Sequence, residues 1–185
     1  MFIFILIFIL AFILGLIFIY NKTIHLKNLI LEAESGVDVQ LKRRYNLVPN
    51  LVKTVSAYCD HEAKTFEEVA RLRTQTMNQK TLKEKESFEN QFEHGLCTIL
   101  GLKESYPNLK ADAAFLKIQK ELSLIEDDLQ HARRYYNGVV RKFNSFINLF
   151  PVCLLKKIFA LVDKPFFQLD GEHEKLVPNV KDFLS

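Results

Sequence analysis

The sequence predicts an all-α protein: an N-terminal single transmembrane helix followed by an elongated antiparallel four-helix bundle. Three observations predict it. Met1 to Tyr20 is an unbroken apolar run, apolar positions from Leu26 to about Leu149 recur at steps of three and four, and no segment alternates with the period of a strand. The expected division is 1–20 transmembrane anchor, 21–150 long-helix bundle, and 151–185 short amphipathic helix with a C-terminal tail.

The first element is MFIFILIFILAFILGLIFIY, apolar except for Gly15 and the phenolic end of Tyr20, with the first ionisable side chain at Lys22. As a helix it covers about 30 Å, the thickness of a hydrocarbon core. No lysine or arginine precedes the run, and Phe18-Ile19-Tyr20-Asn21 lacks the small-residue pattern of a cleavage site, so retention as an anchor is expected rather than removal as a signal peptide. Lys22, Lys27 and then Lys42-Arg43-Arg44 follow the span. By the positive-inside rule the C-terminal body faces the cytoplasm behind a single pass.

From Leu26 the positions Ile30, Ala33, Val37, Leu41, Tyr45, Val48, Val52, Val55 and Cys59 form one helical face, backed by Lys42, Arg43, Asn50, Lys53 and Asp60. Pro49 removes a helical hydrogen bond, predicting a kink near Leu47 or two abutting helices. A second segment starts near His61 with Phe66, Val69, Ala70 and Leu72 and fades into the polar stretch Thr74 to Thr81. A third runs from Leu82 to Leu102 with Phe88, Phe92, Leu96, Ile99 and Leu100 on one side, closed by Gly101, Pro107 and Asn108.

Lys110 to about Leu149 carries the most regular pattern. Ile118, Leu122, Ile125, Leu129, Ala132, Tyr136, Val139, Phe143 and Ile147 form a seam free of proline, with Arg133 assigned to another face. After Pro151, Val152 to Val162 reads as a short amphipathic helix, lying either in the membrane interface or folded over the end of the bundle. Lys164 to Ser185, with Pro165 and Pro178, reads as an extended tail whose Phe166-Phe167 pair docks on the bundle.

The chain of 185 residues has a formal charge of +3, too small an excess to imply nucleic acid as a partner. Three cysteines, Cys59, Cys97 and Cys153, fit reduced thiols better than a disulfide framework. The glycines are scattered, which excludes a phosphate-binding loop. No Glu-x-x-His pair exists; Asp128-x-x-His131 and His61-Glu62 are the nearest approximations to a metal site, and neither fits. No catalytic residue, metal site or cofactor is expected.

Two basic, asparagine-bearing blocks remain as a candidate interaction surface: Arg43, Arg44, Asn46 and Asn50 around Pro49, and Arg133, Arg134, Tyr135 and Asn137 before Gly138. A glycine inside a helix costs about 0.5 to 1 kcal/mol relative to alanine, so close approach by another backbone would give Gly138 a purpose. The alternative for both blocks is a solvated charged face.

These segments resemble the LemA family of bacterial membrane-anchored helical proteins. The likeness rests on Gln40-Leu41-Lys42-Arg43-Arg44-Tyr45-Asn46-Leu47-Val48-Pro49-Asn50-Leu51-Val52, on Tyr58 with His61-Glu62, on Tyr106-Pro107-Asn108-Leu109-Lys110-Ala111, and on Ala132-Arg133-Arg134-Tyr135-Tyr136-Asn137. Phe143-Asn144, Phe150-Pro151 and Pro165-Phe166-Phe167 continue it. Val152-Cys153 departs from the usual small polar pair after the proline. The resemblance implies a four-helix bundle behind one span with most of the protein inside the cell, and it implies no settled activity. The functional expectation is a non-enzymatic, membrane-tethered interaction or scaffolding protein: the lipid bilayer is one partner through 1–20, and an unknown protein is the other. The alternatives are a metal-dependent or enzymatic bundle and a self-associating element, a homo-oligomer, at the membrane.

Overall fold

The computed structural model describes residues 1–59, 61–79 and 82–167. Helix α1 runs without interruption over Phe2–Ser56. At 1.5 Å per residue it is about 80 Å long, so the apolar span and the first helix of the bundle are one rod. The expected boundary at Asn21 is a change of surroundings and not of backbone: every residue from Met1 to Gly15 is exposed, and burial begins at Thr23 and Leu26. Thr23 Oγ1 donates to the Ile19 carbonyl at 2.8 Å, which hides its polar atom at this transition.

Pro49 lies inside α1, and the helix continues through it, so the alternative of two abutting helices is not what forms. A proline at 49 cannot donate to the Tyr45 carbonyl four residues back. Arg73 Nε donates to that carbonyl instead, at 2.8 Å, so a side chain from the next helix fills the vacancy. Beyond Pro49 the seam rotates by one position: Leu51 is buried where Val52 was expected, and Val52 is half-buried. Asp60, expected on the polar back, lies outside the described residues.

Helix α2 spans Ala63–Met77 and buries Phe66, Val69, Leu72 and Thr76, while Ala70 is exposed. Helix α3 spans Leu82–Gly101. These two pack closely at Gly95, where an added Cβ would stand 2.8 Å from Val69 Cγ2. Gly138, for which a close backbone approach was considered, faces open space.

The long helix expected from Lys110 is divided. Pro107–Lys110 forms a single turn, α4, and α5 spans Ala113–Asn148. Asp112 is the N-cap of α5: its Oδ1 accepts from the Phe115 N–H at 2.7 Å, and its Oδ2 accepts from Tyr58 Oη at 2.9 Å. Helix α5 therefore starts pinned beside the end of α1. It runs antiparallel to α1: Asp112 meets Tyr58, Glu126 meets Arg44, and Asp128 meets Arg43. Continued at the same rate, that register brings the end of α5 beside the end of the apolar span.

After a cis Phe150-Pro151 bond, only Val152–Leu155 is helical (α6), not the eleven residues expected. The large apolar side chains would share one side of a straight helix, yet the helix stops at Leu155. The chain instead turns at Ala160, which has φ 46°, and buries Val152 and Leu161 against the bundle. Residues 163–167 then run back along α5. Asn144 brackets the Lys164 backbone, accepting at Oδ1 from Lys164 N–H and donating from Nδ2 to its carbonyl. Asn137 holds Phe167 in the same two-bond way, and Phe167 is buried as expected while Phe166 stays partly exposed. The remainder of the expected tail, including Pro178, lies outside the described residues.

Candidate functional site

At mid-bundle, four ionisable residues from three helices meet inside the core. Arg44 of α1 is 1% exposed, Glu89 of α3 is fully buried, and Arg133 of α5 is 5% exposed. Glu126 of α5 completes the group from its half-buried edge. Arg44 donates from one guanidinium nitrogen to Glu89 Oε2 and from the other to Glu126 Oε2 at 2.7 Å. Tyr45 Oη donates to Glu89 Oε1, so both oxygens of that carboxylate are occupied. Arg133 stands 3.8 Å from Glu89 and 3.7 Å from Glu126. These distances give charge attraction without a hydrogen bond, and the Arg133 guanidinium lies 4.9 Å over the Phe167 ring. Phe92 closes the other side, 5.4 Å from the Arg44 guanidinium and edge-on to Tyr45.

The charges nearly cancel, two guanidiniums against two carboxylates, which a buried cluster requires. Burial pushes the Glu89 carboxyl above the ordinary carboxylate range, against the pull of Arg44 and then Arg133. Burial also lowers Arg133, with Arg44 adding repulsion. Nothing in the group resembles a nucleophile held by a base. Among the described residues no three histidines, cysteines, aspartates or glutamates are grouped to hold a metal ion. Asp128 of the Asp128-x-x-His131 pair is engaged with Arg43 at 3.0 Å. The arrangement does one thing physically: it fixes α1, α3 and α5 in a single register.

The eight residues of the candidate surface separate into two sets. Arg44 and Arg133 are interior members of the ion cluster, and Asn137 spends both ends of its amide on the chain's own Phe167 backbone. Arg43, Asn46, Asn50, Arg134 and Tyr135 are exposed. Arg43 bridges to Asp128, so the first block touches α5 on the N-terminal side of the second. Val39, Leu124 and Tyr135 add exposed apolar surface near that bridge. Glu89, Tyr45 and Arg73 were missed as site residues. The available signal was register: Glu89 precedes Phe92, Leu96 and Ile99 at seam spacing, and that seam takes Glu89 in place of the expected Phe88.

A family model described as the LemA family matches residues 33–182. The protein LemA of Metamycoplasma hominis is 28% identical over 140 residues, which cover 75% of this chain and 64% of that relative. The chain thus matches just under two thirds of the relative's length.

Proposed function

The chain belongs to the LemA family, and from that premise we propose that it is a membrane-tethered scaffold, holding a partner protein on the outer face of α1 and α5 at a fixed height above the bilayer. It is a membrane-associated helical protein, with a helix long and apolar enough to cross a membrane and none of that apolar stretch buried. The observation that carries the proposal is the unbroken α1: one rod is lipid-facing at one end and core-forming at the other, so position in the membrane and position of the bundle are mechanically the same variable. In this reading 1–20 is the anchor, 21–150 an elongated four-helix bundle and 151–185 a short helix with a C-terminal tail. Lys22 and Lys27 support placing the bundle on the cytoplasmic side of a bacterial inner membrane.

The partner face is Arg43, Asn46 and Asn50 on α1 with Arg134 and Tyr135 on α5. Arg43 suits a test because its bridge to Asp128 is half-exposed, and such pairs contribute at most about 1 kcal/mol to stability. A photo-reactive amino acid at Asn46 in intact cells is expected to trap a discrete adduct, absent when the probe is moved to exposed Glu67 on α2. Arg43→Glu should reduce that adduct severalfold while leaving the helical content unchanged. The same adducts from both probes, or an Asn46 adduct indifferent to Arg43→Glu, would contradict the assignment. An adduct consisting of two copies of the chain would replace the partner with self-association.

A further inference from the structure

The membrane end of the bundle holds a second apolar surface. Leu154, Ile158 and Val162 are each about seven-tenths exposed, an arrangement unfavourable in water. Leu154 sits beside α1 and not over the water-facing bundle. Pro151, Leu154 and Leu155 line a groove of ≈ 460 Å³ together with Ala11, Gly15 and Ile19 of the apolar run. Phe159 packs on Tyr20 with ring centroids 6.2 Å apart. The residues of α1 that touch the loop therefore begin near the polar end of the span and reach about 15 Å along it, to the middle of a hydrocarbon core.

We propose that the segment from Leu149 to Val162 is itself inserted in the bilayer, as a re-entrant loop whose outward side chains and groove are covered by lipid acyl chains. The inference rests on the reading of 1–20 as a span: if Ala11 and Gly15 are in hydrocarbon, side chains sharing a cavity with them are at the same depth. The loop's own chemistry fits that environment. Non-helical backbone at membrane depth must satisfy its polar groups internally. Part of the loop does so: the N–H of Cys153 donates to Leu149, Leu154 to Pro151, Lys156 to Cys153, Phe159 to Leu155 and Leu161 to Lys156, and Pro151 has no N–H to satisfy. The ammonium of Lys156 is turned back to the bundle end, donating to Asn148 Oδ1 and Asp163 Oδ2 at 2.8 Å each. Lys157 is exposed and long enough to reach the headgroup layer from a shallow position. The chain thus enters the membrane twice, once as a span and once as a wedge, and α5 is tied to the bilayer as firmly as α1.

The native chain contains no tryptophan, which allows a single reporter to be placed. Full-length Phe12→Trp, Leu154→Trp, Ile158→Trp and Leu124→Trp variants, all at exposed positions, are reconstituted into phosphatidylcholine vesicles. Leu154→Trp and Ile158→Trp should emit to the blue of Leu124→Trp, be quenched by lipid brominated in mid-chain as Phe12→Trp is, and resist aqueous iodide. Iodide quenching of both loop reporters, with Phe12→Trp still quenched by brominated lipid, overturns the insertion and leaves the tether intact. Loss of lipid quenching at Phe12→Trp overturns both. Loop reporters shielded from both quenchers overturn acyl-chain cover in favour of a second copy of the chain.

Discussion

The ion cluster at mid-bundle and the loop at the membrane end are inverted images of each other. Around Arg44, Glu89 and Arg133, charge is inside; around Leu154, Ile158 and Val162, the polar groups of Lys156, Asn148 and Asp163 pair with one another and the large side chains facing out are apolar. Both regions join the same two helices, α1 and α5. The inversion makes opposite demands on substitution. The waist is damaged by removing a polar partner, because the groups left behind are buried, whereas the membrane end is damaged by adding one, because the groups gained face lipid.

The largest expected effect lies at the waist. Glu89→Ala leaves Arg44 with one of its two carboxylate partners, Tyr45 Oη without an acceptor, and Arg133 further short of charge compensation. Breaking a buried pair in this way costs about 3–5 kcal/mol, to be measured by denaturant titration of the detergent-solubilised chain. Glu89→Gln keeps the shape and adds a sign to check. Because burial raises the Glu89 carboxyl, the protonated form favours the folded state; that contribution is complete below the unfolded carboxylate value of 4.5 and is lost as pH rises through the folded value. The wild type should therefore lose stability relative to Glu89→Gln as pH increases from about 4 towards neutrality, by about 1.4 kcal/mol for each unit of the upward shift. A relative change of the opposite sign would mean that the two arginines dominate burial at Glu89.

The next effect concerns a neutral partner in the same region. Arg73→Met retains the apolar stem and removes the donor to the Tyr45 carbonyl that Pro49 has vacated. A carbonyl left without its partner costs about 1–3 kcal/mol. Pro49→Ala in the Arg73→Met background restores a backbone donor to that carbonyl and should recover most of the loss. Failure to recover would show that Arg73 contributes through packing, and the contrast between waist and membrane end would then rest on the charged cluster alone.

The helical seams were legible because burial on one face follows the 3.6-residue period whatever the neighbours are. Leu26 through Val48 and Leu122 through Ile147 behave in this way. The continuity of α1 past Tyr20 was hidden, since Lys22 reports a change of solvent, to which a helical backbone is indifferent. Pro49 left two outcomes open for a different reason: the donor that compensates it, Arg73, is far along the chain, and no local window contains both. In the candidate site, Arg44 and Arg133 were read as part of an interaction surface, because an arginine pair reads as solvated until its carboxylate is found. Glu89 is on a third helix, where register differing by one residue exchanges it with Phe88. The short helix after Pro151 was overextended because its apolar residues were read as one face meeting either the membrane or the bundle, although they divide between the bundle and the outside.

The smallest effect distinguishes rigid coupling of the two regions from flexible coupling. Gly138 lies on α5 between Arg133 of the waist and Asn144, which holds the returning chain nearer the membrane, and an added Cβ there meets nothing within 4 Å. It is inside a continuous helix, so no backbone conformation requires glycine. Gly138→Ala should then stabilise the chain by about 0.5–1 kcal/mol through the lower entropy of its unfolded state, read as a higher denaturant midpoint at unchanged slope. If α5 acts as a stiff strut between waist and bilayer, the Asn46 crosslink survives the substitution at full yield. A more stable protein with a weakened crosslink would mean that the glycine supplies bending between the two regions, and that the height of the partner face above the membrane is variable by construction.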